Sequence, residues 1–166
     1  MRNLIALPLL ILAVLFQSAI ISRVSLLSGY ADILLVLLAA WALQERVTSA
    51  WHWAFLTVIL IGFISRLPWP VTVIGYFSIV YMAQRLQQRV WQAPLLAMFA
   101  VVFAGTIWMH LLSFLVLRFL GSILPFGDVL GLITLPSLLL NMLIAIPIYA
   151  WMRDLAHWVY PSESGV

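Results

Sequence analysis

The longest apolar run of the chain is the feature that most constrains its fold. Residues 93–118, APLLAMFAVVFAGTIWMHLLSFLVLR, contain no acidic residue, and their first arginine is the last residue, Arg118. A stretch of about 20 mostly apolar residues is long enough to cross a bilayer as a helix. A helix also satisfies its backbone hydrogen bonds within one segment, as lipid requires. The run therefore predicts a transmembrane helix.

The composition of the whole chain extends this prediction. Of its 166 residues, 66% are hydrophobic and 8% are charged, and the mean hydropathy is +1.17. A soluble domain is about 45–50% apolar and about 25% charged. A soluble core of this size could not bury so much apolar surface. We therefore predict an all-α integral membrane protein.

Six segments have the length and composition of a membrane-crossing helix. They lie at residues 4–22, 27–44, 50–66, 69–84, 93–118 and 130–152. The connections between them are short, so we predict a single transmembrane domain over residues 1–166. The opening residues 1–3 are similar to the start of a signal peptide. We interpret them as the start of a retained first span, because no cleavage site followed by a soluble domain is present.

The positions of the arginines predict the orientation of the six spans. If both termini are cytoplasmic, more arginines lie inside than outside, which is the sign of the positive-inside rule. The inner set is Arg2, Arg46, Arg85, Arg89 and Arg153, and the outer set is Arg23, Arg66 and Arg118. Most tryptophans also fall near the proposed inner face, where indole rings anchor at headgroup level. We therefore predict that both termini are cytoplasmic.

The residue inventory excludes several classes of function. The chain has no cysteine, which excludes disulfides, thiolate metal sites and cysteine nucleophiles. Its net charge of +3 comes from scattered arginines, whereas nucleic-acid binding needs a basic stripe. No nucleophile–base set, paired carboxylates, glycine-rich phosphate loop or metal cluster occurs in the sequence. We therefore expect no enzyme activity, no cofactor and no nucleic-acid partner.

The last predicted span carries small and polar residues on one face. Thr134, Ser137, Asn141, Ala145 and Tyr149 follow one another at intervals of three or four residues, which places them on one side of a helix. Such residues favour close packing between membrane helices, and each interhelical hydrogen bond contributes roughly 0.6–2 kcal/mol. We interpret this face, the polar seam, as a packing surface for a helix of this chain or of a partner. A substrate site is the alternative.

Two prolines shape the same span. Pro147 removes one backbone hydrogen bond and should bend the last turns, with neighbouring groups satisfying the freed carbonyl. Pro136 lies near the predicted helix start, where a missing N–H has little effect.

Asp32 lies at the outer end of the second predicted span. An ionised carboxylate within a span costs about 2.5–3.5 kcal/mol on insertion scales, so it favours a partner. We interpret Asp32 as a headgroup-level residue or helix cap. A structural ion pair with Arg23 or Arg66 is an alternative, and a proton or ion relay is another.

His110 is the ionisable residue predicted nearest to the middle of a span. With Phe114 and Arg118 it forms a row at intervals of four residues on the fifth span. We interpret it as a neutral histidine hydrogen-bonded inside the bundle, with a proton-sensitive or ligand-facing role as the alternative. The candidate residues for helix packing or partner binding are thus Asp32, Thr134, Ser137, Asn141, Pro147 and Tyr149, and the candidate intramembrane polar residues are His110 and Arg118.

Three segments resemble the MreD family of rod shape-determining proteins. Residues 134–163, TLPSLLLNMLIAIPIYAWMRDLAHWVYPSE, resemble the family's last helix, with its Pro-Ser pair, its Asn among leucines, its P-x-Y and its basic tail. Residues 31–43, ADILLVLLAAWAL, resemble its second span, and residues 62–89 resemble its central segment. The chain departs from the family at residues 64–66, Ile-Ser-Arg, where members often carry an acidic residue. Any role of that carboxylate does not transfer.

This resemblance implies a non-enzymatic, multi-pass subunit of the bacterial inner membrane. Such a subunit belongs to the elongation (rod) complex, which organises peptidoglycan synthesis and cell shape. The implied partners are the bitopic protein MreC, a RodA-type glycan polymerase, a class B penicillin-binding transpeptidase and MreB filaments. The implied fold is a compact six-transmembrane-helix bundle, similar to the substrate-binding subunits of energy-coupling-factor vitamin transporters.

Such a vitamin-binding subunit is also the main alternative function, because the size and the number of spans agree. It would need a concave pocket with several converging polar groups. It would also need a small-residue face for the coupling protein. The first span offers Ala6, Ala13 and Ala19 but no tight alanine triplet. A membrane enzyme that depends on His110 or Asp32 is the third possibility.

Overall fold

The computed structural model describes residues 5–19, 23–65, 67–89 and 93–161, and over these residues the chain is helical. The first five helices are α1 (Ala6–Ala19), α2 (Ile33–Ala42), α3 (Ala50–Ile64), α4 (Trp69–Gln87) and α5 (Pro94–Phe119). The short α6 (Phe126–Asp128) continues through a π-helical segment (Val129–Thr134) into α7 (Leu135–Val159).

The central element of the fold is α2. All ten of its residues are buried, and α1, α3, α4, α5 and α7 each pack against it. Its sequence, ILLVLLAAWA, is apolar all round, as expected for a helix enclosed on every side. At about 1.5 Å per residue it is about 15 Å long, half of the hydrocarbon thickness of a bilayer. The helix is therefore a core helix that other helices surround.

The start of α2 is fixed by its cap and by the preceding turn. The Asp32 carboxylate accepts a hydrogen bond from the Leu35 N–H at 3.0 Å, which is the geometry of a helix N-cap. Before it, Leu26 and Gly29 exchange two backbone hydrogen bonds of 3.0 and 2.9 Å. Leu27 adopts a φ of 55° in this turn. Residues 27–32 of the predicted second span therefore form a turn and a cap, and the helix begins only at Ile33.

The outside of the bundle is apolar. Large side chains on several helices are mostly exposed, including Phe63 at 80%, Leu143 at 74% and Leu12 at 63%. The two longest apolar helices, Pro94–Phe119 and the continuous Phe126–Val159, have 26 and 34 residues and are long enough to cross a membrane. An apolar exterior around an apolar core is consistent with a helical membrane protein.

Helices occupy part of all six predicted spans, but their ends differ in places. The last helix is longer than the prediction of 130–152, because it begins at Phe126 and ends at Val159. The fourth continues to Gln87 rather than residue 84. The described residues do not include residues 4, 20–22 and 66, which belong to the predicted spans. They also do not include Arg2. The crossing of the bilayer by six spans stays a prediction.

Candidate functional site

The polar seam of the last helix is buried within the chain itself. None of Thr134, Ser137, Asn141, Ala145 and Tyr149 is more than 6% exposed. The helix that carries them packs chiefly against α2 and α5. The seam is therefore occupied by helices of this chain, and this face offers no free surface to a partner protein.

Asn141 joins three elements through its amide. Its Oδ1 accepts the backbone N–H of Asp32 at 2.6 Å, and its Nδ2 donates to Thr106 Oγ1 on α5 at 2.9 Å. The Thr106 hydroxyl donates to the Val102 carbonyl at 2.7 Å. Because a buried polar group without a partner is costly, these bonds explain how an amide is tolerated among leucines. Asn141 thus ties α7 to α5 and to the start of α2.

Asp32 lies at the centre of a polar cluster. Besides capping α2, its carboxylate accepts a hydrogen bond from the Tyr76 hydroxyl, with distances of 3.2 Å to Oδ2 and 3.4 Å to Oδ1. The interpretation of Asp32 as a helix cap describes the structure, whereas the ion pair with Arg23 is not formed. Arg66 lies outside the described residues. Across the part of the chain that the structure describes, the ion pair present is Arg153–Asp154, on the exposed surface.

Gln17 is a member of this cluster that the sequence reasoning missed. Its Oε1 accepts the Ile33 N–H at 2.9 Å, and its Nε2 donates to the Ala31 carbonyl at 2.7 Å. The side chain of α1 therefore satisfies backbone groups on both sides of Asp32. An amide near the end of the otherwise apolar run 5–16 is the sequence signal that could have pointed to it.

The turn before α2 is held against the last helix. The Ser137 hydroxyl accepts the Tyr30 N–H at 3.0 Å, and the Ser28 N–H donates to the Leu132 carbonyl in the π-helical segment at 3.0 Å. Gly29 packs so closely here that an added Cβ would lie 2.6 Å from the Ile133 carbonyl oxygen. π-Helical turns disturb the regular bonding of a helix and are frequent at functional sites.

His110, Phe114 and Arg118 lie in a row on α5, but each contacts a different part of the chain. His110 Nδ1 lies 3.0 Å from Thr134 Oγ1, which matches the interpretation of a histidine hydrogen-bonded inside the bundle. Phe114 packs edge-on against Phe126 with ring centroids 5.3 Å apart. Arg118 is exposed and donates a hydrogen bond to the Ser122 carbonyl at 3.3 Å, just after the end of α5.

The remaining candidates of the last helix lie away from the cluster. Pro147 is exposed on the outer side of α7. Tyr149 lies at the end of the bundle opposite to Asp32. There it lines a cavity of about 200 Å³ together with Gln44, Arg46 and Arg153.

A cavity of about 250 Å³ lies beside the Asp32 cluster. Residues from six helices, from the π-helical segment and from the connections around them line it, and more than half of these residues are polar. The polar ones are Gln17, Tyr30, Asp32, Ser65, Thr72, Tyr76, His110 and Ser137. The arrangement can bind a small polar molecule, because several hydrogen-bonding groups converge on one concave space. Among the described residues, no group of three or more His, Asp or Glu could hold a metal ion.

Fold and site together define a helical chain with an apolar exterior and a polar cluster around the start of a buried central helix. No model of a known family, no curated protein and no solved structure matches this chain. Its function is therefore argued from the residues and their geometry.

Proposed function

We propose that this chain is an MreD-like scaffold subunit of the bacterial elongation complex. In this proposal it is a compact six-span bundle of the inner membrane, with both termini in the cytoplasm. It binds an MreC-like bitopic protein and helps to organise peptidoglycan synthesis and cell shape. It performs no reaction of its own.

One hydrogen bond carries the proposal. Three segments carry the resemblance to the MreD family, and this bond joins two of them, residues 31–43 and residues 134–163. The Asp32 N–H of the first segment donates to Asn141 Oδ1 of the second at 2.6 Å, although the two residues are 109 positions apart. One residue from each of these two segments thus takes part in the contact between the second and last helices.

The shape of the bundle supports a role in assembly. The polar groups are largely used inside the chain, whereas the outside of α1, α3 and α5 presents large apolar side chains such as Leu12, Phe63 and Phe103. In lipid, helices associate through van der Waals packing and a few polar contacts. Surfaces of this kind suit the transmembrane helices of partner proteins.

A pull-down from the native membrane tests the proposal. The tagged chain is extracted in mild detergent, and the retained proteins are identified by mass spectrometry, with the untagged chain as control. We expect an MreC-like protein together with a RodA-type polymerase or a class B transpeptidase. Their absence, with other proteins retained, would contradict the proposal.

A substrate-binding subunit of an energy-coupling-factor-type transporter is the second candidate. The observation that favours it is the polar cavity beside Asp32, since such a subunit needs converging polar groups in a concave site. In the same pull-down, this function would retain paired ATPases with a coupling membrane protein, or a bound vitamin.

A further inference from the structure

Two hydroxyls on one wall of the Asp32 cavity, those of Thr72 and Tyr76, can act only as acceptors toward a ligand. The Tyr76 hydroxyl already donates its hydrogen to Asp32, and the Thr72 hydroxyl donates to the Trp69 carbonyl at 2.9 Å. Both oxygens therefore keep lone pairs but have no hydrogen left to donate. Thr72 and Tyr76 lie one turn apart on α4, so both oxygens are on the same face of that helix.

The carboxylate adds two further features, spare lone pairs and charge. An ionised carboxylate can accept about four hydrogen bonds, and Asp32 accepts from Leu35 and Tyr76. The N-terminus of α2 supplies about half a positive unit charge, so an ionised Asp32 keeps a net negative charge. Asp32 forms no ion pair with a residue that the structure describes. A cation with N–H donors complements both features.

We propose that this cavity binds a primary ammonium group, held by the Asp32 carboxylate, Thr72 Oγ1 and Tyr76 Oη. The three N–H donors of an ammonium match these three acceptors, and its charge matches that of Asp32. A cavity of about 150 Å³ holds benzene, so the space of about 250 Å³ holds the ammonium with a short organic substituent. The amine is either a free small molecule or the headgroup of an aminophospholipid.

This site goes beyond the scaffold function and does not depend on it. The ligand is measured on the purified chain, whereas the scaffold function is measured by the proteins retained from the membrane. Either result can fail while the other holds.

Ethanolamine and choline separate ammonium binding from general effects of cations. The thermal unfolding midpoint of the full chain in detergent is titrated with each at equal ionic strength. We expect ethanolamine to raise the midpoint by mass action. Choline should not, because its quaternary nitrogen has no N–H. Equal shifts of the midpoint with ethanolamine and with choline would overturn the proposal. The absence of any shift with either compound would also overturn it, if phosphatidylethanolamine likewise has no effect in the next experiment.

Lipid nanodiscs distinguish the two sources of the amine. The chain is placed in discs of phosphatidylcholine with or without phosphatidylethanolamine, and the midpoint is measured again. A rise with the ethanolamine lipid alone assigns the site to a headgroup. A rise with free ethanolamine as well assigns it to small amines. Both results support ammonium recognition.

Asp32→Asn is the decisive variant, because asparagine also caps helices well, while the negative charge and one of the two acceptor oxygens are lost. We expect the apparent dissociation constant for the amine to rise at least about tenfold, as for the loss of one charge-assisted hydrogen bond. Tyr76→Phe is the second variant if the first does not fold. Asp154→Asn, at an exposed carboxylate, is the matched control and should bind normally.

A separate experiment tests whether the side chain of Arg66 occupies the proposed ammonium site. Arg66 follows Ser65, which lines the cavity, and lies outside the described residues. The native chain and Arg66→Gln should bind ethanolamine equally. Binding by Arg66→Gln alone would overturn the proposal, because the natural occupant would then be the chain's own guanidinium.

Discussion

Single side chains hold the start of α2 in place. Asn141 accepts from the Asp32 backbone, Gln17 satisfies the Ile33 and Ala31 backbone groups, and Ser137 accepts from Tyr30. Each of these bonds satisfies a backbone group that would otherwise need water or another partner. The polar residues of this apolar chain are therefore used mainly to complete backbone hydrogen bonding at a turn.

Asn141→Leu tests this use of a side chain. The substitution leaves the Asp32 N–H without its partner, and a buried unsatisfied donor costs about 1–3 kcal/mol. We expect a lower thermal unfolding midpoint and weaker recovery of partner proteins. The control is Gln88→Leu, an amide exposed at the end of α4. An unchanged midpoint together with an unchanged complex would contradict the role assigned to Asn141.

Gly29→Ala tests the close approach of the turn to the last helix. The new Cβ would lie 2.6 Å from the Ile133 oxygen and 2.7 Å from the Ser137 nitrogen, both backbone atoms. Overpacking of this kind costs about 1–3 kcal/mol, so we expect clear destabilisation. Gly127→Ala is the matched control, because an added Cβ there meets nothing within 4 Å. Equal unfolding midpoints for the two variants would refute the close packing.

At the scale of the element, α2 is enclosed by its neighbours and has no room for larger side chains. Ala39 and Ala40 are 0% exposed. Close-packed interiors tolerate small-to-large changes poorly, whereas a lipid-facing position has space to accept them.

Ala39→Leu should therefore lower the free energy of unfolding by about 1–3 kcal/mol. Ala104→Leu, at an exposed position of α5, should have little effect. Thermal unfolding of both variants in the same detergent checks the difference. Tolerance of Ala39→Leu would mean that α2 is not enclosed as described.

An apolar run in the sequence predicts a helix, but it does not show whether lipid or other helices surround that helix. A run such as residues 33–43 has the same composition whether lipid or other helices surround it, so the enclosure of α2 was not predictable. The buried seam was visible because its residues recur at helical spacing. The roles of Gln17 and Tyr76 depend on how three helices are placed relative to one another, which no local pattern encodes.

At the scale of the whole molecule, the absence of native cysteine makes the orientation directly measurable. Single cysteines are introduced at Ser122, in the connection after α5, and at Gln88, at the end of α4. A membrane-impermeant maleimide is applied to intact cells and to permeabilised cells. With cytoplasmic termini, we expect Ser122→Cys to react in intact cells and Gln88→Cys only after permeabilisation. The reverse pattern would invert the predicted topology.

The central position of α2 has a consequence for how the protein is made. This helix is second in the chain, yet α4, α5 and α7, which enclose it, are synthesised after it. Asp32 and Asn141 are 109 positions apart in the chain. Their hydrogen bond can therefore form only after the last helix has been synthesised. Until then, the early helices lack part of the packing that encloses them in the complete bundle. The bundle is completed from its C-terminal end.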